Sequence, residues 1–167
     1  VNALFMDDLR TEFAKARHNK ALLKQFHRKL GTLRFFDPAC GCGNFLVITY
    51  RELRLLEIDV LKALFGKEVQ QELDIQALSK VDVDAFTGIE IQEWPARIAE
   101  VAMWLMDHQM NIRLSEAFGQ YFVRLPLKKS ANIVLGNALR LDWKTILPPD
   151  QCSYVLGNPP FVGKHYQ

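Results

Sequence analysis

Residues 33–46 read LRFFDPACGCGNFL, and this stretch decides the fold class. Leu33-Arg34-Phe35-Phe36 is a short apolar, aromatic run of strand composition. Asp37 to Gly43 follows as a glycine-punctuated turn, and Asn44 to Leu64 then carries a helical pattern closed by Gly66. Leu46, Val47, Tyr50, Leu53, Leu56, Val60 and Leu61 supply the apolar stripe of that helix. Two glycines let a backbone turn tightly and approach a ligand. In an open α/β sheet, ligands bind in the crevice beyond the strand carboxyl ends. The loop lacks the third glycine of the dinucleotide fingerprint, whose place is taken by Leu46, and it lacks the Gly-Lys-Ser/Thr of the phosphate loop. It is therefore poorly built for pyrophosphate or for ATP phosphates.

Working outward, residues 67–84 are polar and mixed and read as a short helix with a loop. Ala85 to Ile91 (AFTGIEI) reads as a second strand, and Pro95 suits a first helical turn. ARIAEVAMWLMDHQMN (96–111) has helical apolar spacing, with Ile98, Ala99, Ala102, Leu105 and Met106 as its expected stripe. Asn132–Leu135 is a third strand and Ser153–Leu156 a fourth, ending at Gly157-Asn158-Pro159-Pro160-Phe161. Upstream, residues 1–30 read as helix in two pieces parted near His18-Asn19. Their apolar positions are Leu4, Phe5, Leu9, Phe13 and Ala16, then Leu22, Leu23, Phe26 and Leu30, with Gly31 as the stop. Strand–helix alternation of this kind predicts an α/β fold with a mostly parallel sheet.

The chain has 167 residues, one domain's worth, with 49% hydrophobic and 24% charged residues, which excludes disorder. Its formal net charge is +2, low for a domain that grips nucleic acid by charge alone. Residues 1–34 hold eight basic and three acidic side chains, a solvated helix face or, less simply, a DNA-binding arm. No apolar run reaches the roughly 18–20 residues of a membrane helix, and no signal-peptide layout opens the chain. Three cysteines without such a signal fit a reducing interior. Cys40 and Cys42 are too close for zinc spacing, so no metal site is expected.

Two further features carry chemistry. Glu90 ends the second strand, where a carboxylate can accept from both hydroxyls of a ribose. It lies 47 residues beyond Gly43, against a usual spacing of about 20, so 64–84 holds an insertion. An exposed strand-end glutamate is the plainer alternative. The second feature is Asn158-Pro159-Pro160-Phe161. Two prolines end a strand and fix the local backbone. The Asn158 side-chain oxygen and the Pro159 carbonyl would then stand side by side, as acceptors for the two hydrogens of one amino group. Phe161 could stack on the planar ring that bears the amine.

FDPACGCGNFL (36–46), GIEI (88–91) and GNPPF (157–161), in that order, resemble the amino-group DNA methyltransferases that use S-adenosylmethionine. The 96–111 stretch together with NPPFVGKHYQ (158–167) resembles one branch, the large single-chain restriction–modification enzymes of the MmeI kind (type IIL), which methylate adenine. The resemblance implies a Rossmann-like class I methyltransferase fold, incomplete, with residues 1–32 as a preceding helical segment. Residues 33–167 would be the S-adenosylmethionine-binding part, ending soon after the NPPF motif. It implies that Asp37, Pro38, Ala39, Cys40, Gly41, Gly43, Asn44 and Phe45 line the cofactor site. Glu90 would hold the ribose, with Ile91 beside the adenine ring. Asn137 stands where relatives often carry Asp, and its amide can still present an oxygen acceptor; Ala138 replaces a bulkier neighbour. Asn158, Pro159, Pro160 and Phe161 would bind the target amine.

The implied activity is methyl transfer to the exocyclic amine of adenine in a specific DNA sequence, without a metal. The implied setting is a bacterial or archaeal cytoplasm, with no membrane partner. Cytosine amino methylation, a protein glutamine or RNA adenine methyltransferase, and a non-catalytic cofactor- or DNA-binding module are the alternatives. The chain does not begin with Met and stops six residues after Phe161. A full fold of this class has three more strands. A DNA-reading domain is therefore expected outside these residues, and the resemblance to restriction–modification enzymes leaves room for a nuclease linked in the parent protein. The piece alone is expected to be catalytically weak or inactive, with a self-association risk at its fourth strand.

Overall fold

A computed structural model describes residues 5–66, 78–119 and 130–158. Two helices come first, α1 (Asp7–Ala16) and α2 (Lys20–Thr32). They part where the sequence indicates, because the Asn19 side-chain oxygen caps α2 by accepting from the N–H groups of Ala21 and Leu22. Gly31 does not stop α2 as expected. It lies inside the helix, where a β-carbon would come within 2.7 Å of the Lys80 side chain, so close packing rather than termination requires glycine. Leu22 is also displaced from its expected place in the core and is 47% exposed, whereas Leu23, Phe26 and Leu30 are buried. Leu4 lies outside the described residues.

Strand β1 (Phe35–Asp37) leads through the glycine loop to α3 (Asn44–Phe65), which Gly66 ends in a positive-φ conformation. A 3₁₀ turn (Val83–Ala85) opens β2 (Phe86–Glu90); residues 67–77 of the expected helix and loop lie outside the described residues. Helix α4 (Glu93–Phe118), β3 (Asn132–Leu135), the short α5 (Trp143–Ile146) and β4 (Tyr154–Val155) follow. The strand order is β3-β2-β1-β4 and every pairing is parallel, with Phe35 opposite both Phe86 and Tyr154. The Rossmann-like sheet expected from the sequence is therefore present. The chain leaves β3 on one side and returns to β4 on the other side of β1. That reversal is the switch point beyond which ligand crevices open in such sheets.

One core joins the sheet to both N-terminal helices. The Phe35 ring stacks on Phe86 (4.9 Å) and on Tyr154 (5.4 Å), and Phe5 stacks on Tyr154 (4.5 Å). Each such pair is worth about 0.5–1.5 kcal/mol beyond its buried area. Helix α4 departs from expectation in part: Ala99 is buried and Met106 packs against the core as expected, but the rest of the row differs. Its buried row is Ala96, Ala99, Met103, Met110, Leu114 and Phe118, while Ile98 and Leu105 are half-exposed and Ala102 and Met106 only partly buried. The small side chains win because α4 approaches the start of α3 closely; a β-carbon on Gly43 would sit 3.0 Å from that of Ala99.

Below the sheet, a buried polar network holds α2, α3, α4 and residues 79–81 together. Glu57 accepts from Ser79 Oγ (2.8 Å) and from the N–H groups of Lys80 (2.6 Å) and Val81 (3.1 Å), and it pairs with His27 Nε2 at 3.0 Å. Arg54 donates to the Val81 carbonyl and to Asn111, and Asn111 and Tyr50 both donate to Asp107. No described helix is long and apolar enough to cross a membrane.

Candidate active site

The loop after β1 is shaped by its two glycines, with φ of +55° at Gly41 and +81° at Gly43. Those conformations suit glycine because it has no β-carbon to clash. The Gly43 N–H closes the turn on the Cys40 carbonyl (2.8 Å), and the Cys40 N–H ties the loop to the carbonyl of Ile89 on β2 (3.0 Å). The buried Cys40 side chain fits only because residue 88 is glycine; a β-carbon there would lie 2.8 Å from Sγ. Burial, with the charges of Asp37 and Glu90 adding, pushes the Cys40 thiol up to about 12.

Two carboxylates flank this loop. Asp37, at the end of β1, is 1% exposed. Its Oδ1 accepts from the Ala39 N–H at 3.0 Å, while Oδ2 is sealed from solvent with no hydrogen-bond partner. Burial raises its carboxyl above the ordinary aspartate value despite the Ala39 N–H, and the charge of Glu90 adds to the rise. Glu90, at the end of β2, accepts from the Gly41 N–H (3.0 Å) and the Gln92 N–H (2.9 Å), one on each oxygen.

The ends of β3 and β4 join the same rim. The Glu90 carbonyl accepts from the Gly136 N–H (2.8 Å), which brings Asn137 alongside. The Asn137 side-chain oxygen accepts from the Leu139 N–H and stiffens its own turn, and the Ala138 carbonyl accepts from Trp143 Nε1. On the other flank the Leu156 N–H donates to the Phe36 carbonyl (2.7 Å). Gly157 then turns with φ +148°, where a β-carbon would come within 2.8 Å of Asp37 Oδ1. Asn158 follows, exposed.

Of the residues singled out from the sequence, Asp37, Ala39, Cys40, Gly41 and Glu90 are thus linked through the loop, with Asn137 adjoining and Asn158 adjacent through Gly157. Pro38 and Phe45 are half-buried nearby in the chain, Asn44 opens α3 exposed, and Ile91 is 62% exposed. Pro159, Pro160 and Phe161 lie outside the described residues. The reading of the sequence missed the packing roles of Gly88 and Gly157. A glycine inside a strand was the available signal, since it marks a close approach. It also missed Trp94 and Leu139, which are 81% and 92% exposed. Among the described residues no group of three or more His, Cys, Asp or Glu side chains is placed to hold a metal ion. Two carboxylates and open space over Gly41 suit a cationic ligand carrying hydroxyls and disfavour a phosphate.

The family model described as the MmeI DNA-methyltransferase domain matches residues 13–167. The chain belongs to the MmeI DNA-methyltransferase domain family. It is 37% identical over its whole length to DNA methyltransferase A of Bacillus subtilis, of which it covers 19%. It is 27% identical over 83% of its length to a putative type II restriction enzyme and methyltransferase of Methanocaldococcus jannaschii, covering 11% of that protein. A solved structure of the type IIL restriction–modification enzyme MmeI in complex with DNA aligns with a TM-score of 0.92 at 58% identity. That match covers 98% of this chain and 22% of the other. The MmeI-type domain thus spans about a fifth or less of the length of these relatives, and its sheet is that of a Rossmann-like class I methyltransferase.

Proposed function

We propose that this MmeI-type domain binds S-adenosylmethionine and, in the longer polypeptide, directs its methyl group to the exocyclic amine of adenine in DNA. The close approach of Gly157 to Asp37, which leaves no room for a β-carbon, carries the reading. Asn158 is the next residue in the chain, so the group that would hold an amine would adjoin the groups that would hold the methyl donor. S-adenosylmethionine supplies an electrophilic methyl on a cationic sulfur. The residues present fit it. Asp37 places a buried, poorly compensated carboxylate beside the loop, and a cation bound near it would relieve the charge that burial and Glu90 make costly. Each Glu90 oxygen has a second lone pair beyond the N–H groups of Gly41 and Gln92, enough to accept two ribose hydroxyls. Pro38, Ala39, Cys40, Gly43, Asn44 and Phe45 complete the lining. Ile91 offers exposed apolar surface to the adenine ring, and Asn137 and Ala138 form its edge.

Asn158 and the Pro159 carbonyl would accept both hydrogens of the target amine. This draws the nitrogen toward a tetrahedral shape and localises a lone pair otherwise delocalised into the ring. Positioning and electrostatic stabilisation of the developing charge supply the rate. The base must leave the duplex first, at a few kcal/mol. Stacking on Phe161, worth about 1–3 kcal/mol, offsets part of that.

In the same proposal, residues 1–32 are a helical segment buttressing the S-adenosylmethionine-binding part (33–167). DNA contacts come chiefly from a recognition domain elsewhere in the polypeptide. A nuclease is linked in the parent, as the name of the Methanocaldococcus relative suggests for that protein, and the enzyme works in a bacterial or archaeal cytoplasm.

The test is Asn158→Ala in the full-length protein, assayed on unmethylated DNA with calorimetric titration of S-adenosylmethionine. Transfer is expected to fall at least a hundredfold with binding retained, and near-normal transfer would remove Asn158 from the reaction. Digestion of the product to nucleosides separates adenine from cytosine. Absence of DNA methylation by the unaltered protein would leave the RNA, protein and non-catalytic readings.

A further inference from the structure

Helix α4 is apolar on two opposite sides. Ala96, Met103 and Met110, seven residues apart, are buried against the domain. The opposite side carries Trp94, Ile98, Val101, Leu105 and Ile112, which are 81, 49, 56, 47 and 39% exposed. With the half-buried His108 included, these positions step by four and three alternately from Trp94 to Ile112. A helix hydrophobic all round is a buried helix. A row with that alternation is the a/d seam of a heptad pattern, which a second helix fills with its own side chains. We propose that the outer face of α4 is the seat of one amphipathic helix contributed by another part of the same longer polypeptide.

Three observations choose that occupant. The residues flanking the seam are Pro95, Arg97, Ala102, Trp104, Gln109 and the buried Asn111, and their single charge, Arg97, is paired with Glu100 at 3.1 Å. Such a surface has nothing for phosphates, lipid headgroups or an acidic peptide. The solved relative has more than three-quarters of its chain outside the matched region, ample for a covering helix. A second copy fits poorly. Antiparallel pairing of two identical seams about Val101 and Leu105 would set Ile98 against His108 twice, pressing imidazole nitrogens into apolar surface. The seam runs for about 27 Å at 1.5 Å per residue, so the occupant needs roughly five turns. It starts two residues after Gln92, whose N–H holds Glu90.

The test replaces Ile98 or Leu105 by Cys in the full-length polypeptide. Thiol labelling is followed at that residue by mass spectrometry, relative to the same site in the urea-unfolded chain, with circular dichroism as the check of folding. Labelling at both sites is expected to be at least tenfold slower in the folded protein, and unchanged on hundredfold dilution. Labelling as fast as in the unfolded chain overturns the proposal. Protection that disappears on dilution also overturns it, by making the occupant a second copy. Neither outcome depends on methyl transfer.

Discussion

Asp37 and Glu57 are both buried carboxylates, each 1% exposed, yet they are treated in opposite ways. Glu57 lies below the sheet among His27, Arg54, Ser79 and the N–H groups of Lys80 and Val81. Burial alone would raise its carboxyl, but His27, Arg54 and the Lys80 N–H together outweigh burial and hold it below the ordinary glutamate value. Asp37 lies at the carboxyl ends of the strands with one N–H on one oxygen and nothing on the other, and its carboxyl is raised. A saturated carboxylate braces the fold. An unsaturated one keeps capacity for a ligand and makes the unliganded fold less stable.

The largest test of this contrast is Glu57→Gln. It leaves Arg54 buried without its counter-charge, and breaking a buried pair costs about 3–5 kcal/mol. Thermal unfolding should show a large drop in Tm at neutral pH. The gap to the unaltered protein should shrink as pH falls through the lowered Glu57 value, because protonation removes the same interaction. A gap that persists undiminished in acid would show that charge is not what Glu57 contributes.

Gly157→Ala comes next. The new methyl would meet Asp37 Oδ1 in a backbone conformation that side chains rarely adopt, and such strain costs about 1–3 kcal/mol. Both Tm and affinity for S-adenosylmethionine should fall. Unchanged affinity would separate the amine motif from the loop.

Asp37→Asn should move stability least, and in the opposite direction. Asn keeps an oxygen for the Ala39 N–H and deletes the buried charge, so Tm at neutral pH should hold or rise slightly while S-adenosylmethionine binding is lost. The difference should vanish below the ordinary aspartate range, where both forms are neutral, and grow as pH rises through the raised Asp37 value. A clear loss of Tm at neutral pH would make Asp37 a brace like Glu57.

The contrast also explains what the sequence made legible. The β1–loop–α3 unit is local, so a short apolar, aromatic run, two glycines and a helical stripe locate it to within two residues, and Asn132–Leu135 is read without error. Family motifs mark the rim residues because each falls at a strand end. The network around Glu57 is invisible in one dimension. Most of its hydrogen bonds join residues 22 to 57 apart, and His27, Arg54 and Asn111 look like solvated helix residues until the helices are packed. The wrong face of α4 has a related cause. When two opposite rows are both apolar, periodicity cannot say which is buried, and the choice falls to the closeness that Gly43 and Ala99 allow. Gly31 misleads because a glycine required for packing looks the same as one required for a stop.

The pairing of β4 with β1 has a further meaning in time. Arg34 beside β1 and Ser153 beside β4 are hydrogen-bonded across 119 residues. At synthesis rates of about 5–20 residues per second, the ribosome needs on the order of 6–24 s to make the intervening chain. During that interval β1 can gain β2 as a neighbour, but its other edge stays bare. The Asp37 side of β1 therefore gains its neighbour long after the helices that brace it have emerged.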